Sequence, residues 1–329
     1  MVDYIEISNS LHKGTPNLTL CNRYTCRMND FGYETYEVEG CKRMQFLWNP
    51  QTKIYQLKGT LPYFLKGHNF SFSREEYIES IELLQDILQV GLWDAAFNVL
   101  EYGAIFSVEK SPKDYIKNHT AKKKSRLNEN LRGKDKGSGK WWSCPEVILK
   151  MYDAGKNIQM KQKTPNRTII ESDGYNPNMN YLKFEAHYRK PFLLNGCRDI
   201  LVEDLQNPQG IQQMNETLLS QYHLLNPMRE LLKPTNKKEL SATDIVVREF
   251  VKELINDGKT IGQAQEQIYQ SIREADCLNQ PDKDSRRRTI KEAFKKLQEA
   301  EDSEWDLTSR IQESLENENK PKFEPMEES

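Results

Sequence analysis

The sequence has no apolar run approaching the roughly 18 residues that a membrane-spanning helix needs, so a transmembrane helix is excluded. Its opening residues, MVDYIEISNS, lack the basic-then-apolar layout of a secretory leader, and secretion is not expected. Cysteine is sparse: six in 329 residues, with no CxxC pair. Without a leader these are read as reduced thiols of a cytoplasmic protein. Cys21, Cys26 and Cys41 are conceivable zinc ligands, but their spacings are loose and their segment reads as strands.

Net charge is also nearly absent, at −2, which argues superficially against a nucleic-acid partner. The sum conceals segregation. Residues 109–163 hold 15 Lys+Arg against 6 Asp+Glu, whereas residues 299–329 hold 3 against 11. A basic middle and an acidic tail cancel, so the total says little about partners.

Apolar residues make up 37% and charged residues 29%, enough for a folded core in one large or two smaller domains. Tyr33–Val38, Arg43–Trp48 and Lys53–Leu57 alternate as an antiparallel meander, with Asn49-Pro50 as a turn. Ser73-Arg74-Glu75-Glu76 is a capping box, and Tyr77, Ile81, Leu84 and Leu88 follow at helical spacing. Val99–Val108, Glu146–Tyr152 and Tyr181–Tyr188 read as further strands, Ser111-Pro112 opens a short helix, and Gly210–Leu225 reads as helix. Residues 120–140 are almost devoid of apolar side chains and read as a solvated arm. Lys233-Pro234-Thr235-Asn236 is the expected linker to three helices over Ser241–Ala300. The expectation is an α+β fold, an antiparallel sheet with flanking helices over 1–232, a small helical unit over 233–302, and an acidic tail over 303–329, disordered apart from a short helix around Trp305–Leu315.

Four segments set polar groups among apolar ones. Leu65-Lys66-Gly67-His68-Asn69-Phe70 is a turn that either presents its imidazole and amide to a ligand or bonds them to its own backbone. Glu101 lies within VLEYGAIF, a costly place for a carboxylate unless it is paired or binds metal. A third strand ends in Tyr152-Asp153 between Lys150 and Lys156. In YLKFEAHY, Lys183, Glu185 and His187 share one strand face. Two strand carboxylates suit a hard divalent cation, and a tyrosine beside cations suits an oxygen nucleophile. Four ordinary strands with ion-paired polar faces account for the same spacing. The basic segment points to nucleic acid: Lys122, Lys123, Lys124, Arg126, Arg132 and Lys140 precede Trp141-Trp142. Cations neutralise phosphates and an exposed indole stacks on an unpaired base; a solvated loop with the tryptophans in the core is the other reading. Arg286, Arg287, Arg288, Lys291, Lys295 and Lys296 form a second basic run.

In order, LKGTLPYFLKGHNFSF, VLEYGAIF, VILKMYDAGKN and YLKFEAHYRKP resemble the gene II / gene X family of filamentous-phage and plasmid replication initiators, over roughly residues 50–195. The resemblance implies a Rep-endonuclease-like fold and a rolling-circle initiator that nicks one origin strand through tyrosine. It implies divalent metal (Mg²⁺ or Mn²⁺), DNA as partner, a host helicase and polymerase, and the cytoplasm of a bacterial host. Tyr152 falls on the nucleophile position. The family's Tyr-x-Lys is replaced by Tyr152-Asp153-Ala154, leaving Lys156 or Lys150 to supply the cation. Glu101 falls where the family has Asp, Glu185 falls in its basic/aromatic-Phe-Glu motif, and His68-Asn69 match its Gly-His-Asn element. The metal would rest on Glu101, Glu185 and His68, because the His-x-His pair of many rolling-circle nucleases is absent. Lys183 and Asn69 join the basic arm as expected DNA contacts. A mobilisation relaxase and a non-catalytic DNA-binding regulator are the alternatives.

Overall fold

The computed structural model describes residues 1–11, 14–23, 32–38, 43–122, 124–131, 139–161, 173–227, 240–256, 259, 261–297 and 303–318. The chain forms two compact units, one of residues 1–116, 123–224 and 307–329, the other of residues 117–122 and 225–306. The first is α+β and is built on an antiparallel sheet.

Its strands are β1 (Val2–Ser10), β2 (Cys21–Arg23), β3 (Glu34–Val38), β4 (Met44–Asn49), β5 (Ile54–Thr60), β6 (Ala96–Val108), β8 (Asn128–Leu131), β9 (Gly139–Ser143), β10 (Val147–Asp153) and β11 (Asn180–Tyr188); β7 (His119–Ala121) and β12 (Leu225–Pro227) pair in the second unit. The ten strands of the first unit lie in the order β2-β3-β4-β5-β1-β6-β11-β10-β9-β8. The helices, in chain order, are α1 (Leu61–Lys66), α2 (Arg74–Leu88), α3 (Pro112–Lys117), α4 (Ala154–Lys161), α5 (Pro208–Tyr222), α6 (Ala242–Asn256), α7 (Ile261–Glu274), α8 (Gln280–Lys295) and α9 (Thr308–Glu318).

The meander closes as its side chains dictate. Asn49 Oδ1 accepts from the backbone amides of Gln51 and Thr52, both at 3.0 Å, and turns β4 into β5. Gly67 ends α1 at φ +78°, a left-handed conformation in which a Cβ is strained. Ser73 and Glu76 cap α2 reciprocally, which fixes the start of the helix that buries Tyr77, Ile81, Leu84 and Leu88.

Period-2 alternation divides the central strands into two faces. Leu100, Tyr102, Ala104, Leu149, Met151, Phe184 and Ala186 are buried on one face. α5 and α9 close it: the Tyr102 hydroxyl donates to Asn215 at 2.6 Å, and Phe184 meets Tyr222 edge-on. The other face carries the polar positions of β6, β10 and β11, and α4 packs there against β11.

One segment differs from its sequence expectation. Residues 120–140 are not simply a solvated arm, because β7, β8 and β9 form within and beside them. Apolar content could not reveal these strands, since each is held by pairing with another strand: β8 with β9, β9 with β10, and β7 with β12. In the acidic tail the short helix expected around Trp305–Leu315 forms as α9, Thr308–Glu318, whose Ile311 and Leu315 are buried with Leu307. Three apolar residues at helical spacing suffice to dock it.

The second unit holds α6, α7 and α8 around Val247, Val251, Leu254, Ala264, Ala293 and Phe294. Ser241 and Asp244 cap α6 in the expected manner, with Asp244 Oδ2 accepting from the Ser241 amide at 2.8 Å. The Lys233–Asn236 linker, Gly258, Cys26 and Cys41 lie outside the described residues. Among the described residues no helix is long and apolar enough to cross a membrane.

Candidate functional site

Antiparallel register sets the cluster. Lys150 stands opposite Glu185, Tyr152 opposite Lys183, Glu185 opposite Gly103, and His187 opposite Glu101. All of these side chains share the sheet face away from α5 and α9. At Gly103 the pairing needs glycine: a Cβ there would lie 2.5 Å from that of Glu185 and 2.7 Å from the Phe184 carbonyl.

Asp3 completes the group. The β1–β6 register shifts between Val2 and Ile5. Asp3 would otherwise share the fully buried side of Ile5 and Ile7, yet both Asp3 and its neighbour Tyr4 line the cavity. A bulge of this kind re-aims a side chain. Asp3, Glu101 and Glu185 each offer a carboxylate oxygen within 4.8 Å of the others, and all three residues are buried.

Cations thread the acids. Lys150 Nζ donates to Glu101 Oε2 at 2.5 Å and to Glu185 Oε1 at 2.9 Å. Lys183 Nζ donates to Asp3 Oδ2 and lies 2.8 Å from Glu185 Oε2. The Tyr152 hydroxyl donates to Glu185 Oε2 at 3.1 Å, His187 Nδ1 lies 3.0 Å from Glu101 Oε2, and Asn69 Nδ2 donates to Asp3 Oδ2 at 3.0 Å. Asp3 Oδ1 is buried with no hydrogen-bond partner among the described residues.

The electrostatics follow from burial and neighbours. Burial would drive the Lys183 ammonium towards neutrality, but Asp3 and Glu185 overcome it and keep the group charged. Burial would likewise raise Glu185, but Lys183 and Lys150 outweigh it and hold its carboxyl far below the usual range. Glu101 is raised by burial and by the Glu185 charge. Burial and the Glu185 carboxylate hold the Tyr152 phenol well above the ordinary tyrosine range, so it carries its proton at neutral pH.

The cluster floors an open cavity of about 550 Å³, whose walls include Arg43, Tyr63, Asn69 and Asn157. The Arg43 guanidinium lies 3.6 Å over the Tyr63 ring, holding a cation at the rim. Compared with known proteins, the chain matches no family model and no curated relative.

Of the residues singled out by sequence, Glu101, Glu185, Lys150, Tyr152, Lys183 and Asn69 meet here. His68 does not. Its Nδ1 accepts from the Phe70 amide at 3.3 Å and its Nε2 faces Asp173 at 3.2 Å, within a separate network that holds Lys66. That geometry places it outside the carboxylate cluster. Lys156 stands on α4, its amide on Asp153 Oδ1 at 2.8 Å, while its neighbour Asn157 lines the cavity.

The expected DNA contacts divide. Lys122, Lys124 and Arg126 are exposed, and Lys123 and Arg132 lie outside the described residues. Lys140 is buried and paired with Glu129 at 2.8 Å, and Trp142 is fully buried with its indole N–H on the same carboxylate. Neither is placed to meet a strand, because their side of β9 faces the core. Trp141, one residue on, is partly exposed and stands opposite Lys150. Lys183 is 1% exposed, so it is an internal counter-ion rather than a DNA contact.

Sequence reasoning missed Asp3, Arg43, Tyr63 and Asn157. An aspartate inside the alternating run Val2-Asp3-Tyr4-Ile5 was the available signal for the first. Arg43, Tyr63 and Asn157 carry none beyond polarity.

Proposed function

We propose that the chain is a metal-dependent enzyme that nicks and rejoins one DNA strand, a Rep-endonuclease-like rolling-circle replication initiator, with Tyr152 as its nucleophile. The observation that carries this reading is the Tyr152 hydroxyl, 3.1 Å from the buried Glu185 carboxylate, in one cavity with Asp3 and Glu101, the other two acids of the cluster. The four segments that resemble phage and plasmid initiators converge on that cavity: Asn69 comes from the first, Glu101 from the second, Lys150 and Tyr152 from the third, and His187 from the fourth, with Glu185 of the fourth buried beneath it. Separated segments meeting at one site support a shared chemical task.

Asp3, Glu101 and Glu185 would hold Mg²⁺ or Mn²⁺. The fit rests on an all-oxygen donor set, which hard cations prefer, and on the orphaned Asp3 Oδ1. A bound ion supplies Lewis-acid polarisation of the phosphate and offsets the charge that develops on it.

The chain's own groups do the rest. Tyr152 Oη forms a bond to phosphorus and releases its proton to water in the open cavity; Glu185 Oε2, too weak a base to keep it, orients the hydroxyl as hydrogen-bond acceptor. The bond from phosphorus to the 3′ oxygen breaks, and that oxygen takes a proton from water. The products are a 5′-phosphotyrosyl ester and a free 3′-hydroxyl for a host polymerase to extend behind a host helicase. Attack by a 3′-hydroxyl on the ester reverses the step, with one phosphate ester exchanged for another. Lys183 holds Glu185 in place, and the rim Arg43 meets the phosphate backbone.

The test incubates the protein with supercoiled DNA carrying its own origin, with Mg²⁺, with Mn²⁺ and with neither. Metal-dependent relaxation with protein covalently attached is expected, and Tyr152→Phe abolishes both. Tyr181→Phe and Tyr188→Phe should nick normally, since both rings are core residues, 6% and 1% exposed. Binding without a nick under both metals sinks the reading and leaves a DNA-binding regulator. Nicking confined to a transfer origin makes the protein a mobilisation relaxase.

A further inference from the structure

The ion pairing contains an asymmetry. Lys183 and Lys150 both neutralise the carboxylates, but Lys183 is sealed in, with 1% of its side chain exposed, while 24% of the Lys150 side chain faces the open cavity. Lys183 therefore cannot leave without unfolding the sheet locally, whereas Lys150 needs only a change of side-chain rotamer.

Charge points the same way. Asp3, Glu101 and Glu185 with Lys150 and Lys183 keep one negative charge uncompensated. A divalent ion added beside both lysines would overshoot to one positive. A divalent ion in place of Lys150 brings the five-group cluster to neutrality, the cheapest state for a buried site. The bonding agrees. Lys150 covers Glu101 Oε2 and Glu185 Oε1, and Lys183 takes Asp3 Oδ2 and Glu185 Oε2. Withdrawing Lys150 frees Glu185 Oε1 and leaves Glu101 Oε2 with His187 as its remaining partner, beside the already unpartnered Asp3 Oδ1. Lys183 and His187 stay behind to orient the ligands.

We propose that Lys150 is a resident cation occupying the metal position, and that a divalent ion binds Asp3, Glu101 and Glu185 by displacing its ammonium into the cavity. This rests on the metal-site reading above and adds to it a gate. The gate keeps the buried acids compensated in the metal-free protein and releases a cation into the cavity when metal binds. There it lies beside Tyr152, where a phosphodiester would come to rest.

The test uses the full chain without DNA, so it is independent of nicking. Mn²⁺ is titrated while the free aqueous ion is followed by electron paramagnetic resonance. Lys150→Met should bind Mn²⁺ tighter by on the order of tenfold, since the competing charge is gone. Lys150→Arg should bind no tighter than the unmodified chain, and Asp3→Asn should lose the site. Circular dichroism checks that each variant is folded. In the unmodified protein, amine acylation read by peptide mass spectrometry should rise at Lys150 and not at Lys183 when Mn²⁺ is added. Metal binding with Lys150 acylation unchanged, Lys150→Met binding no tighter while folded, or no Mn²⁺ bound by any variant overturns the proposal. Metal binding with Lys150 released but no nicking at any origin would instead sink the proposed activity alone.

Discussion

The sheet unit and the helical unit use charge in opposite ways. In the helical unit an apolar core of Val247, Val251, Leu254, Ala264, Ala293 and Phe294 is wrapped in exposed ions. Its pairs, such as Lys252–Glu249 and Lys295–Glu292, have more than half of each side chain in water. Exposed pairs of this kind contribute about 0–1 kcal/mol each and need no special account. In the sheet unit five ionic groups sit together with side-chain exposures from 1% to 24%. Desolvating such groups costs several kcal/mol per ion, and apolar residues of similar volume often serve stability as well or better. Stability therefore does not explain the cluster, whereas the chemistry proposed for the cavity would.

The largest test of that contrast is Lys183→Met. It strands Asp3 and Glu185 without their buried cation, and the expected loss is about 3–5 kcal/mol in urea unfolding of the sheet unit. Adding Asp3→Asn should recover part of the loss, because one of the two stranded charges disappears. A change under about 1 kcal/mol would mean that the cluster is solvated like the surface pairs and that the contrast is false.

Leu254→Ala is the counterpart in the helical unit. It opens a cavity in a small core, and the expected cost is about 2–3 kcal/mol. Amide exchange should speed up across α6, α7 and α8 while β6 and β11 stay protected. Equal acceleration in both units would show that one cooperative core, not two, holds the chain.

What the sequence made legible follows the same divide. Glu101, Lys150, Tyr152 and Glu185 could be read because each lies in a regular strand, where period-2 spacing assigns a face. Asp3 was missed: its one mark is an aspartate inside the run Val2-Asp3-Tyr4-Ile5, and the bulge that turns it into the cavity is a property of the β1–β6 pairing. The basic arm misled for a related reason. Lys140 reads as solvated until β9 pairs with β8 and β10; it is then buried, and the exposed Glu129 from β8 becomes its partner. His68 read as a ligand because a Gly-His-Asn turn has two uses; the Phe70 amide and Asp173 show which one applies. The capped helices α2 and α6 were the most legible elements, since a capping box is local and carries its own hydrogen bonds.

Asp244 supplies the smallest effect and the finest test of the helical unit. Its carboxylate takes the Lys296 ammonium at 2.8 Å and the Ser241 amide at 2.8 Å. The Lys296 bond first, and the bonds to Ser241 with it, hold the carboxyl below its usual range despite the opposing effect of burial. A depressed folded value means that the unfolded chain takes up the proton first as pH falls. The contribution is therefore complete above the ordinary aspartate range, near pH 4, and is lost as pH falls through the lower folded value. Asp244→Asn should remove that acid dependence and cost about 1 kcal/mol at neutral pH, the size of a helix cap. Thermal unfolding of the helical unit, scanned from pH 6 to pH 2, reads both. If the variant and the parent lose stability in parallel on acidification, the cap is not the titrating group, and the exposed acids of the unit carry its pH response collectively.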